Sequence, residues 1–85
     1  MQKLMLIETD SPSSRGLRDY LAELGYKISV VVKTAEQAVE NVQIFNPDFI
    51  VMDYDLNKKI DGKSMYEKIR QHNDIPIIYM TAPMR

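Results

Sequence analysis

The sequence of 85 residues contains no cysteine and no tryptophan, and it has a single histidine, His72. Without cysteine the chain forms neither disulfides nor thiolate metal sites, and one histidine cannot make a histidine cluster. A zinc site is therefore excluded. No apolar run approaches the roughly 18 residues that a membrane-spanning helix requires, and the start of the chain leads into a strand-like stretch rather than a signal peptide. We expect a soluble, cytoplasmic protein.

An excess of charge of either sign is also missing. The chain has 11 Lys and Arg against 12 Asp and Glu, which gives a formal net charge of −1. Proteins that bind the phosphate backbone of nucleic acid usually present a strongly basic surface. We therefore expect no direct nucleic acid partner and no membrane partner. The short length limits the chain to one domain with a small core.

Short apolar runs alternate with segments of helical periodicity along the whole chain. The runs predict four strands, at residues 3–8, 28–32, 49–52 and 75–80. The continuous apolar run at 49–52 is typical of a strand that is covered on both faces. The order β-α-β-α-β-α-β predicts the α/β class, with a doubly wound parallel sheet and helices on both of its faces.

The three predicted helices have recognisable start and stop signals. The first follows Pro12 and ends at Gly25, the second begins at a capping box of Thr34 and Gln37, and the third follows Asp61-Gly62. Helical spacing assigns an inward face to each of them. These faces are Leu17, Tyr20, Leu21 and Leu24 in the first helix, Ala35, Ala38, Val39, Val42 and Phe45 in the second, and Met65, Tyr66 and Ile69 in the third.

Acidic and hydroxyl side chains follow the predicted strands at their carboxyl ends. The first strand ends in Glu8-Thr9-Asp10, the third in Asp53-Tyr54-Asp55 and the fourth in Thr81-Ala82. In an open parallel sheet such ends meet at one edge, where ligands bind. Carboxylates that share a crevice repel one another unless a cation neutralises them, and Mg²⁺ is typically held by one or two carboxylates with water and phosphate oxygens. The residues therefore predict a site for Mg²⁺ and phosphate.

Three segments resemble the receiver domains of two-component response regulators. They are KLMLIETD at the first strand end, PDFIVMDYDLNKKIDG in the centre, and IPIIYMTA at the last strand. The resemblance covers the whole chain, and the central motif is its most specific part. It implies a flavodoxin-like fold with the strand order 2-1-3-4. It also implies a phosphorelay module rather than an enzyme, with a sensor histidine kinase upstream and an output protein or domain downstream.

The resemblance also implies a role for individual residues. Asp53 resembles the phosphoacceptor aspartate, and Glu8 resembles one of the acids that bind Mg²⁺. Asp55 is expected to lend its backbone carbonyl to the metal. Thr81 resembles the hydroxyl residue that turns toward the phosphoryl group when the domain switches.

The sequence departs from the receiver pattern in two places. An acid usually follows the position of Glu8, where this chain has Thr9, and we expect Asp10 to compensate and Mg²⁺ affinity to be reduced. Receivers also continue into a further helix, a fifth strand that ends in a lysine, and a final helix. Residues 1–85 are accordingly interpreted as an incomplete receiver domain. Lys63 and Lys68 lie on the third predicted helix, so neither is expected to replace the lysine of the fifth strand.

The sequence is also compatible with two other functions. A degenerate receiver that binds partners without phosphorylation is suggested by Thr9. A phosphatase of the haloacid dehalogenase type is suggested by the apolar strand that ends in Asp53-Tyr54-Asp55, which is also the hallmark of that enzyme class. In those enzymes, however, the motif lies near the start of the catalytic domain and further catalytic residues follow it.

The predicted strand order also has a consequence for assembly. If the 85 residues are the whole molecule, strand 75–80 is an unpaired edge, and Leu17, Leu21 and Leu24 lose part of their cover. Apolar surface of this kind favours association. In that case we expect a homo-oligomer that pairs through the fourth strand or through the exposed face of the first helix.

Overall fold

The computed structural model describes residues 2–8, 12–53 and 62–80. Strands and helices alternate along this part of the chain. They are β1 (Lys3–Ile7), α1 (Pro12–Glu23), β2 (Lys27–Val32), α2 (Ala35–Phe45), β3 (Phe49–Asp53), α3 (Gly62–Arg70) and β4 (Ile77–Met80). None of the three helices is long and apolar enough to cross a membrane.

The four strands form one parallel sheet in the order β2-β1-β3-β4. This confirms the predicted fold class and strand order. The first three strands agree with the prediction to within one residue at each end. The fourth begins at Ile77 rather than Ile75, because Pro76 has no N–H to donate and the N–H of Ile75 binds the side chain of Asn73 at 2.8 Å.

Two predicted helix ends are confirmed in detail. Gly25 has a φ of +89°, and the N–H of Tyr26 returns to the carbonyl of Leu21 at 3.2 Å, which closes α1. At the start of α2, the Oγ1 of Thr34 accepts the N–H of Gln37 at 3.1 Å. The Gln37 side chain accepts the N–H of Lys33 at 2.9 Å, so both ends of the capping box bind backbone donors.

The core has two layers, one on each face of the sheet. We call them the α2/α3 face and the α1 face. The buried residues of the α2/α3 face are Met5, Ile7, Val32, Ala35, Ala38, Val42, Ile50, Met52, Met65, Ile69 and Ile75. Those of the α1 face are Leu4, Leu6, Leu17, Leu21 and Val51. Residues of β1 alternate between the two layers, as the period of two in a strand requires.

Three residues assigned to inward helix faces are instead exposed. Leu24 follows the end of α1 and Phe45 is the last residue of α2, so both lie beyond the part of the helix that covers the sheet. Tyr66 is displaced by one position from the Met65 and Ile69 stripe, and its ring packs under the guanidinium of Arg70 at 4.9 Å. The periodicity was correct for the helix centres, but it does not show where a helix extends past its sheet.

A groove of about 390 Å³ lies between the end of α1 and β4. Its apolar lining includes Leu21, Leu24, Phe49, Ile78 and Met80. We call this feature the α1–β4 groove. Ile78 is 44% exposed, and β4 has no second neighbour in the sheet among the described residues. Leu17 and Leu21 are fully covered, so the prediction that these two residues lose part of their cover was wrong.

Candidate functional site

The carboxyl ends of the strands are aligned at one edge of the sheet, which we call the carboxyl edge. Ile7 at the end of β1 pairs with Val32 of β2 on one side and with Met52 of β3 on the other. The next residue along each of the two central strands is Glu8 and Asp53. Because neighbouring strands lie about 4.8 Å apart, the backbones of these two residues are adjacent.

Asp53 lies at the centre of this edge. It is the last residue of β3, and its backbone pairs with Met80, the last residue of β4. Ile50, Val51 and Met52 before it are completely buried, as expected for a strand covered on both faces. The strand thus brings an acidic residue directly from the core to the carboxyl edge.

Glu8 is the one buried charged residue among those described, with only 1% of its surface exposed. Its N–H donates to the carbonyl of Val32 at 3.0 Å, which continues the β1–β2 pairing one residue beyond the strand. This backbone bond fixes the residue at the carboxyl edge. A buried carboxylate is costly unless a positive group or hydrogen bond donors surround it.

Part of that requirement is met by Arg18 of α1. One guanidinium nitrogen of Arg18 donates to Oε1 of Glu8 and forms an ion pair with it. The other carboxylate oxygen, Oε2, is buried and has no hydrogen bond partner among the described residues. Buried polar atoms almost always have a partner, so this oxygen at a strand end is a candidate ligand for a cation. Carboxylate oxygen is the kind of ligand that Mg²⁺ prefers, so this residue fits a magnesium site.

The sequence prediction did not identify Arg18. It lies ten residues from Glu8 on a different element, and no short-range spacing rule connects a strand end to the second turn of the following helix. Its position next to the buried Leu17 places it at the border of the inward face, where a long side chain can reach the carboxyl edge. That border position was the available signal, and it is a weak one.

The other predicted site residues fall largely outside the described part of the chain. Thr9, Asp10, Asp55 and Thr81 lie outside it, and for Asp53 the backbone alone is described. Within residues 2–8, 12–53 and 62–80, no three His, Asp or Glu side chains are close enough to hold a metal together. The structure therefore places Glu8 and the backbone of Asp53 at one edge, and the remaining assignments stay predictions.

The lysines of α3 do not contribute to the described site. Lys63 is exposed. The Nζ of Lys68 donates to Oε1 of Glu36 on α2 at 3.2 Å, and both side chains are largely exposed. The pKa of Glu36 is lowered, first by a hydrogen bond from its own backbone N–H and then by Lys68. This pair links the two helices of the α2/α3 face rather than serving the carboxyl edge.

Comparison with known proteins identifies a family and several relatives that agree with one another. The profile of the response regulator receiver domain family matches residues 4–84. The transcriptional regulatory protein KdpE of Staphylococcus aureus is 39% identical over 82 residues, and the sensory transduction protein BceR of Halalkalibacterium halodurans is 32% identical over 82 residues. Each alignment covers 96% of this chain and 35% of the relative, so the chain spans about a third of the length of these relatives.

Solved structures agree with the fold. The signal receiver domain of a modulated diguanylate cyclase from Desulfovibrio desulfuricans superposes with a TM-score of 0.75 and 25% identity, over all of this chain and 68% of that one. The anti-anti-sigma factor PhyR of Bartonella quintana, in complex with the anti-sigma factor NepR, superposes with a TM-score of 0.75 and 24% identity, over 99% of this chain and 35% of that one. A receiver profile along nearly the whole chain decides against a haloacid dehalogenase-type phosphatase. The chain belongs to the response regulator receiver domain family, a family of signalling modules in two-component systems rather than enzymes.

Proposed function

We propose that this receiver accepts a phosphoryl group on Asp53 from a sensor histidine kinase. The observation that carries the proposal is the alignment of the buried Glu8 with Asp53 at the carboxyl edge. A carboxylate oxygen of Asp53 bonds to the phosphorus of a phosphohistidine while the phosphorus–nitrogen bond breaks, and the imidazole nitrogen keeps the electron pair. The product is an acyl phosphate on Asp53.

Such a transfer brings two anions together, so it depends on charge neutralisation and positioning. Members of the family typically bind Mg²⁺. The metal, when bound, would screen the repulsion between the Asp53 carboxylate and the incoming phosphoryl group. The residues that would hold it are Glu8, Asp10, Asp53 and the backbone carbonyl of Asp55. The buried Oε2 of Glu8, which has no partner in the described part of the chain, supports this assignment.

The chain's own residues then position the reaction and transmit it. The buried run before Asp53 holds the nucleophile at a fixed depth at the end of β3. Thr81 directly follows β4, whose last residue pairs with the backbone of Asp53. We propose that its hydroxyl turns toward the phosphoryl group and thereby changes the surface that an output protein or domain recognises.

Phosphorylation by acetyl phosphate with Mg²⁺, followed by intact-mass spectrometry, tests the proposal. We expect one phosphoryl group on the wild-type chain and none on Asp53→Asn. The matched control is Asp74→Asn, which removes an exposed aspartate that precedes β4 at the opposite edge of the sheet and should leave phosphorylation unchanged. Phosphorylation that persists in Asp53→Asn would overturn the assignment.

A phosphorylation-independent interaction module is the second candidate. The ion pair between Glu8 and Arg18 favours this second function, because Arg18 neutralises the buried carboxylate without a metal. Binding of beryllofluoride, a phosphoryl mimic, separates the two. A phosphoacceptor binds it in the presence of Mg²⁺ and loses that binding in Asp53→Asn, whereas a degenerate receiver shows no Asp53-dependent binding.

A further inference from the structure

The ion pair at the carboxyl edge is strongly asymmetric. The side chain of Glu8 is 1% exposed, whereas that of Arg18 is 44% exposed. The guanidinium therefore reaches from the surface of α1 down to a carboxylate that has almost no access to water. Only Oε1 is used, and Oε2 remains without a partner among the described residues.

The two halves of the pair also differ in how firmly they are held. The backbone of Glu8 is bonded to β2, and α1 is anchored through Leu17 and Leu21, which are both buried. The group that can move is the side chain of Arg18, which is long, flexible and 44% exposed. Its release needs no displacement of helix or sheet.

We propose that Arg18 is a built-in counter-ion that competes with the divalent cation for Glu8. The inference rests on the metal site of the proposed function. Without metal, the guanidinium neutralises the buried carboxylate and lowers the cost of its burial. A divalent cation on the same carboxylate would lie within a few ångströms of the guanidinium. Because the two positive groups repel strongly at that distance and low exposure, binding of one displaces the other.

Two properties follow from this competition. The affinity for Mg²⁺ is lower than the carboxylates alone would give, since each binding event has to break the ion pair. In addition, occupation of the metal site releases a positive side chain to the surface of α1. Metal binding thus changes the charge on the surface of α1 before any phosphoryl group is attached.

Calorimetric titration with Mg²⁺ of the full 85-residue chain tests the first property. Arg18→Gln keeps much of the side chain and removes the charge, and we expect it to bind Mg²⁺ about tenfold more tightly than the wild type, or about 1.4 kcal/mol. Arg18→Lys keeps the charge but not the planar fork and should gain less. The matched control is Lys27→Gln, which removes an exposed charge at the start of β2, far from the carboxyl edge, and should leave affinity unchanged.

Nuclear magnetic resonance of the Arg18 Nη2 protons tests the second property without any variant. In the metal-free protein these protons should exchange slowly with water, because Nη2 donates to Oε1 of Glu8. Addition of Mg²⁺ should make their exchange fast. Slow exchange that persists at saturating Mg²⁺ would show that Arg18 stays on Glu8 and would overturn the competition.

The outcomes distinguish this inference from the proposed function. If the wild type binds Mg²⁺ and Arg18→Gln binds it no more tightly, the competition is wrong and the metal site stands. If neither chain binds Mg²⁺, the metal site itself is wrong, and the inference fails with it. Arg18→Lys and the wild-type resonance keep the inference testable if Arg18→Gln does not fold.

Discussion

The two faces of the sheet are covered to different extents. On the α2/α3 face, two helices enclose a cluster of eleven buried residues that reaches from β2 to the start of β4. On the α1 face, a single helix packs on the sheet with five buried residues, two of them its own, and the α1–β4 groove opens beside it. Among the described residues, therefore, one face holds most of the core and the other presents apolar surface to its surroundings.

This difference predicts that the two faces contribute unequally to stability. Burial of apolar surface supplies most of the free energy of folding, so the α2/α3 face should contribute the larger share. The apolar lining of the α1–β4 groove contributes less until another surface covers it. Glu8, at the carboxyl edge, directly follows β1, and the residues of β1 alternate between the two layers.

The largest expected effect is the loss of a buried side chain on the α2/α3 face. Ile7→Ala should lower the free energy of unfolding by about 4 kcal/mol, because it leaves a cavity that a closed layer cannot collapse to fill. Leu21→Ala on the α1 face should cost less, about 2.5 kcal/mol, since Leu21 also lines the groove and its neighbours can shift into the space. Urea unfolding of both variants measures the difference, and equal losses would contradict the comparison.

On the α1 face, a substitution at the end of α1 should have a smaller effect on stability, which acts through the backbone. Gly25→Ala should lower the free energy of unfolding by about 1 to 2 kcal/mol, since a side chain disfavours the left-handed conformation at a φ of +89°. A Cβ at this position would meet no atom within 4 Å, so the cost is conformational and not steric crowding by neighbours. Gly25→Asn should cost less, because asparagine tolerates this conformation. A loss in Gly25→Asn as large as that in Gly25→Ala would argue against this explanation.

On the α2/α3 face, the cap at the start of α2 offers a comparable test. Thr34→Ala should cost about 1 kcal/mol, because it removes the acceptor of the Gln37 N–H. Thr34→Ser retains the hydroxyl and should be nearly neutral. Thermal unfolding of the pair tests the cap, and an equal drop in both variants would mean that the methyl group of threonine matters more than its oxygen.

The smallest effect on stability should accompany a large effect on assembly. We expect the isolated 85-residue polypeptide to self-associate through β4 and the α1–β4 groove. Ile78→Ser should change the free energy of unfolding of the monomer by less than about 0.5 kcal/mol, as surface substitutions usually do, and should abolish association. Ile44→Ser, at a 64% exposed position on α2, is the matched control and should leave association intact. Sedimentation of a wild-type monomer at micromolar concentration would refute this prediction.

Local patterns predicted most of the fold, and their failures have a common physical origin. The apolar runs, Gly25 and the Thr34 capping box depend on neighbours within a few residues, so the sequence alone indicates them. The exposure of Leu24 and Phe45 depends instead on where the sheet ends beneath each helix, and such distances are set by tertiary packing.

The sequence likewise predicts some features of the candidate site and not others. Acids at the ends of two apolar strands could be found by inspection, since parallel strands bring those ends together. The contact of Arg18 with Glu8 could not, because it joins a strand end to a helix through an arrangement that no periodicity encodes. Nor does the sequence indicate that, among the described residues, one oxygen of Glu8 is paired and the other is not.

Asp53, beside the buried Glu8, is predicted to be the residue that receives the phosphoryl group. The most direct measurement treats the chain with acetyl phosphate and Mg²⁺, reduces the acyl phosphate with borohydride, and maps the product by peptide mass spectrometry. Reduction converts a phosphorylated aspartate to homoserine, so the modified residue is identified by position. We predict homoserine at position 53 alone. Homoserine at position 10 or 55, or at no position, would contradict the account.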